Sequence, residues 1–172
     1  MEIEPIFEEQ FFLDINWYFV DPFKRLCVVA SGGGLLPLFL LEQNTQNDEF
    51  HNIVFDLPER FNSGRNENII ASIVGLAENN LEQYFRDFDS LAKKGFFVYD
   101  KINLNNPEDS EYVLVTYPIY DTGKDSFPIN PKNLDLIPRI KNTLISRTNN
   151  SFSETNFEPI NLVTLLNNEK QE

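Results

Sequence analysis

Residues 15–37 read Ile15-Asn16-Trp17-Tyr18-Phe19-Val20-Asp21-Pro22-Phe23-Lys24-Arg25-Leu26-Cys27-Val28-Val29-Ala30-Ser31-Gly32-Gly33-Gly34-Leu35-Leu36-Pro37, and the fold turns on how this stretch is parsed. Two runs, Ile15–Asp21 and Arg25–Ser31, are rich in aromatic and β-branched residues, which suit a pleated, half-buried surface. Between them Asp21-Pro22-Phe23-Lys24 has the chemistry of a turn. Proline presets φ for the second position, and the aspartate can accept a hydrogen bond from the amide two residues on. The stretch is therefore expected to be a β-hairpin. Alternation puts Trp17 and Phe19 on one face of the first strand and Tyr18 on the other. The rings form either an exposed contact platform or core on both sides beneath helices, and the helices expected elsewhere favour core.

Outward from the hairpin, the clearest helix is Glu78–Lys94. Leu81, Tyr84, Phe85, Phe88, Leu91 and Ala92 recur at three and four residues and form one apolar stripe. Lys93 and Lys94 suit the negative end of that helix, and Gly95 can take the left-handed conformation that closes it. Phe96–Asp100 and Tyr112–Tyr117, the second ended by Pro118, are expected to pair antiparallel. Phe50, Ile53, Val54 and Leu57 have helical spacing, with Asp48 near the start of that helix and Pro58 past its end. Phe61–Asn68 reads as a polar loop centred on Gly64. Met1–Leu13 is compatible with a short helix, and Ile69–Val74 has no decisive period. Leu134, Ile137, Ile140 and Leu144 have helical spacing that Pro138 interrupts. Ile160–Leu166 reads as a helix or an edge strand, and residues 168–172 are expected to fray.

The expected fold is a single α+β domain over residues 1–172. Its antiparallel sheet has about four or more strands, namely Ile15–Asp21, Arg25–Ser31, Phe96–Asp100 and Tyr112–Tyr117, and is covered by helices.

Composition narrows the function classes. A chain of 172 residues with 41% hydrophobic and 24% charged residues can bury a core without disulfides or a structural metal. Its net charge of -13, from 14 Lys+Arg against 27 Asp+Glu, repels phosphate backbones and anionic lipid heads and argues against non-specific nucleic-acid binding. The acidity serves solubility or, more sharply, an acidic face that docks a basic protein partner. Cys27 stands alone, so no disulfide forms within the chain, and its apolar setting suits a buried thiol. The N-terminus lacks the basic and apolar regions of a signal peptide, and Leu35–Leu41 is too short to span a bilayer. A cytoplasmic protein without membrane association is expected.

The one candidate ligand site is Ser31-Gly32-Gly33-Gly34. Glycines after a strand let backbone amides approach an anion, and a following helix would aim its positive end there. No Walker Lys-Ser or Lys-Thr pair follows, and the G-x-G-x-x-G spacing fails at Leu35, Leu36 and Pro37. The competing reading is that the glycines simply turn the backbone. His51, the single histidine, has neither a zinc ligand set nor a G-x-S-x-G elbow beside it, and reads as a polar residue on the exposed side of the Asp48–Leu57 helix. Asp14, Asp21, Asp56, Asp87, Asp89 and Asp100 lie near element ends but form no EF-hand loop, and read as surface or turn residues. No catalytic residue, metal or cofactor is assigned.

The segments Asp14–Asp21, Val29–Gly34 and Leu91-Ala92-Lys93-Lys94-Gly95-Phe96-Phe97-Val98-Tyr99-Asp100 resemble a loose family of small uncharacterised bacterial proteins. Their pattern is an aromatic strand, an aspartate turn and a glycine run, then a helix closing on Ala-Lys-x-Gly-aromatic. Some of them resemble toxin-immunity proteins in size and acidity. The family pattern has a glycine in the first turn, where this chain has Pro22-Phe23. The resemblance implies a non-enzymatic, immunity-like inhibitor and supplies no catalytic residues. The alternative is a small-ligand or phosphate-binding protein or enzyme that uses the Ser31–Gly34 loop, and a third possibility is a subunit of a larger assembly.

Overall fold

A computed structural model of the chain describes residues 14–21, 23–34, 36–42, 44–67, 78–101, 105–106, 111–120, 129–139 and 160–161. In chain order these hold β1 (Asn16–Val20), β2 (Leu26–Ala30), α1 (Leu38–Glu42), α2 (Asn44–Asp56), β3 (Asn62–Arg65), α3 (Glu78–Lys93), β4 (Phe97–Lys101), β5 (Glu111–Ile119), a 3₁₀ helix (Pro131–Leu136) and β6 (Ile160–Asn161). The strands form one sheet in the order β1-β2-β4-β5-β3, with β6 also paired to β5. The α+β expectation therefore holds. Every pair is antiparallel except β2 with β4, where Cys27, Val28, Val29 and Ala30 stand beside Phe97, Val98, Tyr99 and Asp100. That parallel pair follows from a crossover, since α1, α2, β3 and α3 intervene between the two strands.

The opening hairpin forms as expected, with Trp17 opposite Val29 and Phe19 opposite Cys27. Asp21 organises its turn. The Lys24 amide donates to the Asp21 carbonyl at 2.9 Å and the Asp21 amide to the Arg25 carbonyl at 3.0 Å. Asp21 Oδ1 accepts from the amides of Phe23 and Arg25, both at 2.9 Å, while Oδ2 accepts from Arg25 Nε at 2.5 Å. The residue with positive φ is Lys24, at 63°. A carboxylate thus holds this turn.

Both sheet faces are core. Trp17, Phe19, Val29, Tyr99, Tyr112 and Leu114 pack on one side with Leu36 and Leu40. On the other, Tyr18, Val28 and Val98 meet Phe50 and Val54 of α2, Ala92 of α3, and Leu134 and Ile137. Farther along that face, Phe85 packs on Val113 and Val115. The favoured reading of core on both faces therefore holds over an exposed platform, because Trp17, Tyr18 and Phe19 are all fully buried. Each such side chain contributes about 1.5–3 kcal/mol by leaving water, so two-sided burial dominates the stability.

The helix ends are chemically marked. At the C-terminus of α3 the Gly95 amide donates to the Ala92 carbonyl at 2.9 Å and the Phe96 amide to the Leu91 carbonyl at 3.2 Å, with Gly95 at φ 107°. This is a Schellman closure, as Lys93-Lys94-Gly95 predicted. Lys94 Nζ then reaches the last carbonyls of α2, Val54 at 3.1 Å and Phe55 at 3.0 Å. A cation there meets the negative end of that helix.

Several expectations are corrected. The helix placed at Asp48–Leu57 begins four residues earlier, at Asn44. Its Asn-rich first turn is held inward by buried Asn47, whose Nδ2 donates to the Asn16 carbonyl at 2.9 Å. Tertiary bonding there overrides weak helix propensity. Phe61–Asn68 is not a loop but contains β3, paired to β5 with Gly64 opposite Tyr117. Side-chain bonds hold this polar strand in the sheet. Ser63 Oγ donates to Asp89 Oδ1 at 3.1 Å and Arg65 Nε to Asp89 Oδ2 at 2.9 Å, while Arg65 also forks onto Glu82 at 2.6 and 3.0 Å. Strand β5 does not stop at Pro118 but runs on to Ile119, with Pro118 paired to Ser63. The last β5 residue paired to β4 is Thr116, opposite Val98, so the missing amide of Pro118 faces no ladder on that side. The 3₁₀ helix ends before Pro138, and the Pro138 carbonyl accepts from the Val20 amide at 2.9 Å. Ile160–Asn161 is an edge strand, one of the two forms expected there. The helix read at 1–13, the run at 69–74 and the tail at 168–172 lie outside the described residues.

Gly64 is required by close approach. A Cβ built on it would lie 2.3 Å from the Tyr117 ring. Gly64→Ala is expected to cost about 1–3 kcal/mol through overpacking, read as a lower chemical-denaturation midpoint. Combining it with Tyr117→Ala, which clears the space, is expected to remove most of that increment.

Candidate functional site

The loop singled out by sequence, Ser31–Gly34, leaves β2 at the edge of the sheet where β4 also ends. In open sheets, ligands sit outside the carboxyl ends of parallel strands, so the position suits a site. Its local bonding suits it less. Ser31 is fully buried, its amide donates to the Ile15 carbonyl at 3.0 Å, and its Oγ accepts from the Ile15 amide at 3.0 Å. The hydroxyl extends the β1–β2 ladder by one rung. Gly32 and Gly33 are half-buried with φ of 59° and 69°, and Gly34 is buried. An anion-binding nest joins a right-handed residue to a left-handed one, whereas two successive left-handed residues reverse the chain as in a type I′ turn. The helix that follows, α1, is only five residues long and starts at Leu38. It supplies little of the dipole an anion would use.

Asp100 stands beside this loop, its Cα in register with Ala30. It is buried on the α3 face of β4, where Oδ2 accepts from Tyr84 Oη at 2.6 Å and Oδ1 from the Lys101 amide at 2.9 Å. Burial pushes its pKa up to about 6; the bonds from Tyr84 and the Lys101 amide pull the other way, and Asp14 adds to the rise. The same burial, with Asp100 alongside, raises the Tyr84 phenol well above its usual value. The pair therefore presents a neutral phenol that donates to a carboxyl titrating near pH 6. A phosphate seated at Ser31–Gly34 would meet that carboxylate across one strand spacing, which raises its cost.

The sign of the linkage follows from the raised pKa. The folded state holds the Asp100 proton more tightly than the unfolded chain, so this group's contribution is full below about pH 4 and is lost as pH rises through about 6. Asp100→Asn is expected to remove that loss. The stability of the variant relative to wild type should rise by on the order of 2 kcal/mol between pH 4 and pH 7.5 in urea titrations. A difference that does not change with pH would contradict the assignment.

The remaining candidates fall into structural roles. His51 is exposed on α2, as expected, and its Nδ1 lies 2.6 Å from Tyr18 Oη, a hydrogen bond that ties the helix to β1. Cys27 is buried, and burial, reinforced by Asp21, pushes its thiol well above the usual range despite Arg25. It is a packed thiol rather than a nucleophile. Asp14, Asp56 and Asp87 are exposed and Asp21 serves its turn, but Asp89 and Asp100 are buried rather than surface residues. Among the described residues no group of three or more His, Cys, Asp or Glu is placed to hold a metal ion, and no described helix is long and apolar enough to cross a membrane. The Tyr84–Asp100 pair was missed in the sequence although both halves were visible. Tyr84 belongs to the stripe of α3, and alternation puts Asp100 on the same face of β4 as Val98. Comparison with protein-family models, curated proteins and solved structures finds no match.

Proposed function

We propose that the chain is a non-enzymatic protein-binding domain that docks a basic partner through the acidic outer side of α2, as an immunity-like inhibitor would. One observation carries this reading. Between Arg25 and Arg60 the sequence has five acids, Glu42, Asp48, Glu49, Asp56 and Glu59, and no lysine or arginine. All five are exposed. Glu49 and Asp56, seven residues apart, share one side of α2, with Asp48 adjacent. The helix beneath them is anchored by Phe50, Val54, Asn47 and the Lys94 cap, so the charges sit on a rigid support. Such a surface gives fast, salt-sensitive association with a complementary basic face. The alternative, a phosphate or other small ligand at Ser31–Gly34, has the Asp100 carboxylate against it.

Affinity capture at low and high salt tests the proposal, with Asp48→Asn/Glu49→Gln/Asp56→Asn as a folded control. The expected result is a basic protein held by wild type at low salt, released at high salt and not held by the triple variant. Retention that ignores both salt and the substitutions would overturn it.

A further inference from the structure

We propose that Phe55 is the apolar anchor of the α2 docking surface, and that the basic partner carries an apolar socket which receives this ring. The anchor presupposes the docking surface proposed above and adds to it the chemistry that would tell one basic partner from another. Phe55 is 77% exposed, the most exposed of the large apolar side chains among the described residues. A single exposed hydrophobe on an ordinary surface needs no explanation. Its placement sets Phe55 apart. Asp48, Asn52 and Phe55 stand at i, i+4 and i+7, and so form one line along the outside of α2. Phe50 and Val54 are buried on the opposite side of the same helix. The ring is thus directed to solvent on the line that carries Asp48.

Restraint and charge select the occupant. Lys94 Nζ lies 5.8 Å from the centre of the Phe55 ring. That ammonium is bonded to the Val54 and Phe55 carbonyls, at 3.1 and 3.0 Å, so it steadies the ring at the helix end while most of the ring stays open. A side chain restrained in this way loses little entropy when a partner covers it. Helix α2 itself carries three exposed carboxylates, Asp48, Glu49 and Asp56, and no lysine or arginine. A surface that covers Phe55 therefore meets Asp56, its neighbour in sequence, and Asp48, which shares its line. An acidic occupant would be repelled by them, and a purely apolar one would bury them unpaired. A basic face with a socket satisfies both the ring and the acids. The acids would steer the encounter, and the ring would slow dissociation. An aromatic side chain set among charges is also where binding energy concentrates in interfaces.

The test uses the full chain and two labelled lysine peptides, alike except for a central phenylalanine or alanine, titrated at low and high salt and followed by fluorescence anisotropy. Wild type is expected to bind the phenylalanine peptide about fivefold or more tighter than the alanine peptide. Phe55→Ser should abolish that preference and leave the salt dependence unchanged, while Phe55→Leu keeps most of it. Asp48→Asn/Glu49→Gln/Asp56→Asn should weaken the binding of both peptides and flatten its salt dependence. Thermal melts confirm that each variant folds. If wild type held both peptides equally, or if Phe55→Ser kept the preference, the anchor would be overturned and the acidic surface would stand. If wild type held neither peptide, both would fall. Self-association of the chain that Phe55→Ser abolishes would assign the ring to a second copy and overturn the anchor as well.

Discussion

Asp21→Ala is expected to lose about 3 kcal/mol of stability, a fall in melting temperature on the order of 10 °C for a chain of this size. The side chain is fully buried and accepts three hydrogen bonds, from the Phe23 amide, the Arg25 amide and Arg25 Nε. Alanine removes all three and leaves a guanidinium of 13% exposure without its counter-charge. Asp21→Asn keeps an acceptor for the amides and is expected to lose markedly less. The pair of variants separates the turn-forming part of the role from the charge-pairing part. If Asp21→Ala melted like wild type, the hairpin would not depend on this carboxylate, and the positive φ of Lys24 would need another support.

Phe50→Ala is expected to cost about 3–5 kcal/mol, measured by denaturant titration. Phe50 is fully buried, 5.0 Å from the Tyr18 ring and 6.4 Å from the Phe96 ring, and so pins α2 to β1 and to the start of β4. Neighbouring groups fill such a void only partly. Because α2 carries the acids assigned to partner binding, the loss has a second reading. Capture of the basic partner by Phe50→Ala is expected to weaken even under conditions where most of the protein is folded. His51→Ala, which removes only the bond to Tyr18 Oη, is expected to do neither to a comparable degree.

How far the chain could be read in advance depended on where each residue's partners lie. The hairpin, α3 and its Gly95 closure rest on neighbours in sequence: the Asp21 carboxylate on Phe23 and Arg25, and the Leu91 carbonyl on the Phe96 amide. They were recognisable for that reason. Strand β3 was not, because Asn62, Ser63 and Gly64 have little strand propensity, and what recruits them is remote: Asp89 and Glu82 on α3 and the Tyr117 ring on β5. The early start of α2 depends in the same way on an Asn47 bond across 31 residues. Of the candidate site, the turn-forming use of the glycines was foreseen, and the half-buried Gly32 and Gly33 agree with it. The Asp100 carboxylate beside them was not foreseen, since the parallel register of β2 and β4 belongs to a crossover that no local pattern encodes.

The claim that α2 is the docking surface is tested most directly by amide hydrogen exchange of the chain alone and bound to the basic protein it captures. The account predicts added protection on the outer turns of Asn44–Asp56, with Ser31–Gly34 and the end of β4 unchanged. Protection centred on Ser31–Gly34 and Asp100–Lys101, with α2 exchanging as in the free chain, would contradict it.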